Sequence, residues 1–146
     1  MRAVVQRVER ASVCVGNTIV GSIEHGLLVL LAIHRDDDKP GLDWMAEKLV
    51  KLRIFEDDLG KMNKSVQDVD GQILLVSQFT LYGELRKGTR PGFTASAPPD
   101  KALAMIQEMQ EKLETLIPGK VETGEFGSHM HVSLVNDGPV TIILER

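Results

Sequence analysis

The eight residues at 26–33, "GLLVLLAI", are apolar at every position, with no polar residue to mark a water-facing side. Such a run is far short of the ~20 residues that cross a bilayer. It fits a strand covered on both faces. A second run of the same character, "QILLVSQFTLYG", occupies residues 72–83 and reads as another strand. A chain carrying these segments must provide packing on both sides of a sheet.

The remaining pattern supplies the other elements. In "RAVVQRVERASVCVGNTIVGSI" β-branched residues dominate, Val13 and Val15 alternate with Ser12 and Cys14, and Gly16-Asn17 marks a hairpin. The period then changes. Leu42, Met45, Leu49 and Leu52 recur at spacings of three and four, predicting a helix over residues 41–55. The acidic run Asp36-Asp37-Asp38 before it suits a solvated loop and a helix N-terminus. "EDDLGKMN" reads as a loop. A second helix is expected from Pro98-Pro99-Asp100, with Leu103, Ile106, Met109, Leu113 and Leu116 on its buried face and Pro118-Gly119 as its stop. Strands around Val121, from Met130 to Val135 and from Val140 to Leu144 close the chain, with Asn136-Asp137-Gly138 as the turn between the last two. No repeat or linker divides these elements. The expectation is therefore one mixed α/β domain spanning residues 1–146, a strand-rich, barrel-like body with two helices packed on one side.

Composition adds limits. A hydrophobic content of 42% and a charged content of 26% are ordinary for a folded soluble domain. Cys14 is the only cysteine, has no internal partner, and sits in an alternating stretch where a small packed hydrophobe is expected. No signal-peptide pattern opens the sequence, so a cytoplasmic location without membrane contact is the expectation. The net charge of −4 argues against broad, sequence-independent nucleic-acid binding. Local basic stretches do exist, at Arg86-Lys87-Gly88-Thr89-Arg90 and at Lys61 and Lys64. They hold a phosphate backbone only if they flank one cleft, and are otherwise solvated surface.

Few residues suggest side-chain catalysis. Ser77, Gln78 and Thr80 place polar groups at the end of a buried strand, where they serve either a substrate cleft or a solvated edge. If the strand is regular, Ser77 and Phe79 face one way and Gln78 and Thr80 the other. A hydroxyl nucleophile needs a base, yet none of His25, His34, His129 and His131 lies in a nucleophile signature. His129 and His131 share one strand face, but no third metal ligand is evident, so neither metal nor cofactor is expected. Phosphate-cradling glycine motifs are missing as well.

The segments "MRAVVQRV", "ASVCV", "GLLVLLAI", "LRIFEDDLGKMNKSV", "VSQFTLYG", "VETGEFGSHM" and "LVNDGPVT" resemble, in order and spacing, the D-aminoacyl-tRNA deacylases. Both signatures of that family, SQFT at 77–80 and the Gly-Pro of NDGPVT, stand intact. The resemblance implies hydrolysis of the ester joining a D-amino acid to the 3′-terminal adenosine of tRNA, which keeps D-residues out of translation. It implies a homodimer whose sites lie at the interface, each combining the SQFT strand of one protomer with the Gly138-Pro139 segment of the other. It also implies a cis Gly138-Pro139 bond whose flanking carbonyls accept the substrate's α-ammonium group, so that the side chain of an L-residue clashes with backbone. Achiral glycyl-tRNA then becomes a partial substrate. Backbone N–H groups at Phe79 and Thr80 are implied as oxyanion donors to an attack by water, with Ser77 and Gln78 at the substrate; Thr80 as a covalent nucleophile is the alternative. Arg7 corresponds to the arginine that braces the Gly-Pro segment. Gly92, where many relatives have serine, and the "TASAPP" stretch depart from the family pattern and bear on tRNA contact.

Overall fold

Strand β1 (Arg2–Val15) is the spine of the molecule because three other strands pair with it. The computed structural model describes residues 1–86 and 88–146. After Gly16-Asn17 the chain returns as β2 (Thr18–Ile23), then β3 (Gly26–Ala32). Helix α1 (Lys39–Lys51), short strands β4 (Phe55–Glu56) and β5 (Met62–Lys64), β6 (Gln72–Ser77), a 3₁₀ turn (Phe79–Tyr82), α2 (Pro99–Leu116), β7 (Val121–Thr123) and β8 (Met130–Glu145) follow. The main sheet runs β2-β1-β3-β6-β7, and β8 pairs with β1 along its other edge. β3 and β6 are parallel, with α1 in the crossover.

The two apolar runs have two cores to fill. Leu27, Val29 and Leu31 of β3 and Ile73 and Leu75 of β6 point toward α1 and α2. Leu28, Leu74 and Val76 point the other way, into a smaller core with Val8, Ala11, Val13 and Ile23. β1 serves both. Ala3 and Val5 lie in the helix-covered core, whereas Val8, Ala11 and Val13 lie in the smaller one. A strict period of two would keep odd residues on one face; register shifts between Gln6 and Val8 and between Val8 and Arg10 change the phase. Beyond the shift the sheet curls into a nearly closed barrel-like body, bringing β2 against β7. A Cβ at Gly21 would collide there with the Thr123 carbonyl, which is why that position takes glycine.

Several boundaries differ from expectation for physical reasons. Helix α1 starts earlier, at Lys39, because the Asp38 side chain caps it by accepting from Gly41 N (2.9 Å), and it ends at Lys51, before the extended Leu52. "EDDLGKMN" is a hairpin of β4 and β5. Asp57 Oδ1 accepts from Lys61 N (3.0 Å) and Leu59 N (2.9 Å), and these bonds hold its carboxyl below the usual range. On α2, Met105 is buried with Met109 and Leu113, while Leu103 is exposed. Cys14 is half-buried. The largest difference is β8. Its two expected strands form one strand of 16 residues paired with β1 on both sides of the Gly-Pro segment. Asn136-Asp137-Gly138 is thus no hairpin turn: Asp137 to Val140 bulge out opposite Arg7, between the pairs Val8–Asn136 and Gln6–Thr141. The Gly138–Pro139 bond is cis. Among the described residues, no helix is long and apolar enough to cross a membrane.

Candidate active site

The strand bearing Ser77 stops there. Gln78 adopts φ −144°, ψ 71°, which breaks the alternation, and Phe79 to Tyr82 wind into a 3₁₀ turn closed by Gly83 N donating to Thr80 O (2.9 Å). The alternating arrangement expected of residues 77–80 is therefore absent. The turn does something an extended strand would not. As its first two residues, Phe79 and Thr80 have N–H groups with no earlier carbonyl to bond, and among the described residues no other acceptor meets them. The segment is anchored on both sides, by Gln78 N to Leu31 O (2.8 Å) and by Ser96 Oγ donating to Phe79 O (3.1 Å).

Beside this turn lies a cavity of about 400 Å³. Ser77, Gln78 and Phe79 line one side, and Phe93, Ile106 and Phe126 supply much of its apolar wall. Phe79 and Phe93 meet edge to face at 5.1 Å. Such a cavity, apolar with a few polar groups at one end, suits a flat organic ring beside a reacting polar bond. Among the described residues, Thr80 carries no catalytic partner. Its Oγ1 accepts from Gln78 Nε2 (2.5 Å), and among the described residues no histidine or carboxylate hydrogen-bonds to it. The histidines are engaged elsewhere: His25 meets Phe55 edge to face, and His34 meets Tyr82 in the same way. His129 and His131 meet edge to face with ring centres 5.1 Å apart, and no third potential ligand joins them among the described residues. Burial pushes the neighbouring Tyr82 hydroxyl up to about 12, with Asp37 and Glu145 acting in the same direction.

The other candidate residues form a second group. Arg7 is buried, with 4% of its surface exposed, yet it is charged, so its partners matter. Its Nε donates to the Asp137 carbonyl (3.0 Å) and lies 3.2 Å from the Asp137 carboxylate, and its Nη1 donates to Ile54 O (2.7 Å). The arginine thus ties the bulge in β8 to Ile54, the residue that leads into β4. Gly138 has φ +134°, a conformation that L side chains rarely adopt, and a Cβ there would come within 2.7 Å of Val140 Cγ2. Asp137, Gly138 and Pro139 are exposed, whereas Val140 is buried in the helix-side core. Pattern reading missed Asn136, whose side chain also holds this bulge; an asparagine before Asp-Gly looks like turn composition and nothing more.

The two groups are not together within one chain. Arg2 Nη1 donates to Leu81 O (2.7 Å), which fixes the 3₁₀ turn beside the start of β1. Arg7, opposite the Gly-Pro bulge, is five residues further along β1, roughly 17 Å at the rise of an extended strand. Between them runs a face on which half-buried Val4 pairs with half-buried Leu30 on one side and with exposed Ile143 on the other. Ile143 is 66% and Phe79 56% exposed, unusual for large apolar side chains. The basic stretches divide in the same way. Arg86 and Arg90 belong to the loop after the 3₁₀ turn, with Arg86 paired to Glu84 (3.1 Å). Lys61 and Lys64 belong to the β4–β5 hairpin beside Arg7, with Lys64 paired to Asp58 (2.9 Å). Lys87 lies outside the described residues.

Comparison with known proteins bears on this arrangement. The family model described as D-Tyr-tRNA(Tyr) deacylase matches residues 4–145. A D-aminoacyl-tRNA deacylase of Thermosipho africanus is 55% identical over 145 residues, covering 99% of this chain and 97% of that protein. Among solved structures, the c-Myc DNA Unwinding Element Binding Protein superposes with a TM-score of 0.95 at 44% identity, covering 100% of this chain and 99% of that one. A structure described as a probable eukaryotic D-amino acid tRNA deacylase superposes with a TM-score of 0.84 at 18% identity, covering 98% and 97%, which speaks to the fold alone. A single mixed α/β domain that keeps both signature segments and matches over nearly its whole length belongs to the D-Tyr-tRNA(Tyr) deacylase family, and the chain is an enzyme of the D-aminoacyl-tRNA deacylase type.

Proposed function

We propose that this enzyme acts as a homodimer that hydrolyses the ester of D-aminoacyl-tRNA, rejects the L-ester through the backbone of Gly138 and Pro139, and thereby proofreads translation in the cytoplasm. The observation that carries this reading is the separation of the two groups along β1. A two-fold axis through the row of half-buried Val4 and exposed Ile143 would lay the Gly-Pro bulge of each copy against the 3₁₀ turn of the other, completing two sites at once. The exposed apolar side chains of Ile143 and Phe79 then lie where a second copy buries them.

Within that composite site each part has a distinct task. Water attacks the ester carbonyl, its oxygen bonds to the carbonyl carbon, and the bond to the adenosine 3′-oxygen breaks as that oxygen takes up a proton. The free N–H groups of Phe79 and Thr80 are suited to the oxyanion that develops. Removing one such donor in other hydrolases costs ~10²–10³ in rate, so backbone groups supply real catalysis without a triad. The adenosine 2′-hydroxyl assists the step, and Ser77 and Gln78 border the substrate. The hydrogen bond from Gln78 to Thr80 Oγ1, with no base at hand, favours water over Thr80 as the nucleophile. The carbonyls of Gly138 and Pro139 take the α-ammonium group. An L-side chain in the same pose meets backbone, which no rotamer change relieves. Glycine, with no side chain to clash, is cleaved in part.

The experiment is deacylation of matched D-, L- and glycyl-tRNAs by the purified protein in EDTA. Fast cleavage of the D-ester, partial cleavage of the glycyl ester and persistence of the L-ester support the reading. Equal cleavage of D- and L-esters removes Gly138 and Pro139 as the chiral filter. Binding without cleavage of any ester would mark a non-catalytic nucleic-acid-binding protein instead.

A further inference from the structure

The bulge that carries Gly138 and Pro139 must stay fixed if rejection by clash is to discriminate, since a backbone that yields by an ångström admits the wrong enantiomer. Arg7 holds only its entry, at Asp137. Its exit is held by Asn136. The Asn136 Oδ1 accepts from Val140 N (2.7 Å), and its Nδ2 donates to Val140 O (3.3 Å) and to Thr141 Oγ1 (3.2 Å). The carboxamide thus pairs with both backbone polar groups of Val140, as a peptide group of a neighbouring strand would, at a point where β1 offers only Arg7 opposite four residues. Gln6 Nε2 also reaches Thr141 Oγ1 (3.4 Å), which joins the brace to β1. Among the described residues, these side-chain bonds end on Asp137, Val140 and Thr141, and none ends on Gly138 or Pro139. The middle of the bulge is therefore framed from both flanks, with its own polar groups left to a ligand.

We propose that Asn136 is a positioning residue for chiral discrimination: its side-chain amide replaces the missing ladder bonds at Val140 and sets how far Gly138 and Pro139 can yield to an L-side chain. This rests on the reading of those two residues as the chiral filter. Aspartate keeps the acceptor for Val140 N but replaces the donor with an oxygen facing Val140 O; alanine removes both.

The test compares wild type, Asn136→Asp and Asn136→Ala by kcat/KM on D- and L-tyrosyl-tRNA, together with hydrogen exchange at the Val140 amide. The D/L ratio is expected to fall roughly five- to tenfold in Asn136→Ala, the equivalent of about one net hydrogen bond. That loss should appear mainly as a higher KM for the D-ester and measurable turnover of the L-ester, with an intermediate ratio for Asn136→Asp and faster exchange at Val140. A D/L ratio at the wild-type value in either variant, even with lowered thermal stability, overturns the proposal. If Asn136→Ala does not fold, the ratio in Asn136→Asp decides. Wild-type protein that shows no D/L preference fails an earlier step, the chiral filter itself, and is recognised before any variant is measured.

Discussion

One segment of this molecule ends a strand and another bulges out of one, and they are built in opposite ways. The 3₁₀ turn after β6 is held chiefly by backbone hydrogen bonds, through Gln78 N, Leu81 N and Gly83 N, and among the described residues it leaves the amides of Phe79 and Thr80 without an acceptor. The bulge in β8 is held by side chains, Arg7 on one flank and Asn136 on the other. A site made of main-chain donors tolerates a change of side chain but not of backbone. A site braced by side chains is lost with the residues that brace it.

The largest effect expected from this contrast is on activity. Thr80→Pro deletes one of the two free N–H groups, and Gly138→Ala places a Cβ within 2.7 Å of Val140 Cγ2 and 3.2 Å of Arg7 Nη2 at φ +134°. Each should lower D-ester turnover at least ~10²-fold, the usual cost of losing an oxyanion donor or a close-fitting contact. Refolded together, the two variants should regain about a quarter of wild-type activity: half the dimers are mixed, and each holds one intact site of two. No recovery on mixing would place each site within one chain.

Next comes stability. Arg7→Ala removes a buried cation and leaves the carbonyls of Ile54 and Asp137 without their donor, at a cost of about 3 kcal/mol in urea unfolding. A loss below 1 kcal/mol would mean that the bulge holds its own shape. Smaller still, Thr80→Ala keeps the amide and should change D-ester kcat/KM by less than about fivefold, the loss of one side-chain hydrogen bond. A fall of several hundredfold would restore Thr80 as nucleophile. The smallest effect concerns Tyr82. Its folded pKa of about 12 exceeds the ordinary value of 10.0, so ionisation favours the unfolded chain. The stability that the neutral phenol supports is fully present below pH 10 and is lost as pH rises towards 12. In Tyr82→Phe, denaturant midpoints should therefore fall less steeply across that window.

The same contrast explains what could be read from the sequence. β3 and β6 were legible because a residue pattern apolar on both faces has few other uses, and the two cores account for it. The spacing of Leu42, Met45 and Leu49 announced α1, whereas its start at Lys39 depends on the Asp38 cap and was not read. The continuity of β8 was illegible, since Asn-Asp-Gly-Pro carries every local mark of a turn, and only the presence of β1 alongside both halves makes it a bulge. The 3₁₀ turn went unread for the opposite reason: "SQFTLYG" has apolar and aromatic residues where a strand would have them, and no glycine or proline before Gly83. Of the candidate site, Ser77, Gln78 and Thr80 stood out as polar groups ending a buried strand, fit for a cleft or a solvated edge; their roles, and Phe79, Gly138 and Pro139, came from resemblance to a family. Arg7 came the same way, because neither its burial nor its bond to Ile54 O leaves a trace in a short stretch of sequence. Asn136 stood inside the NDGPVT segment and the expected turn, but neither reading gave its side chain a role.

The pairing of β1 with β8 has a consequence for how the chain reaches its active form. Contacts between Arg2 and Glu145, or Val8 and Asn136, join residues more than a hundred positions apart, so forming them closes a loop of nearly the whole chain. The helix-covered core and the β1–β2 hairpin rest on contacts that need less loop closure and are expected to form before it. The Gly-Pro bulge takes shape only as β8 docks. On a ribosome, a nascent chain still lacking β8 would have no Gly-Pro bulge at all, so the bulge should take shape abruptly with completed docking rather than grow with chain length.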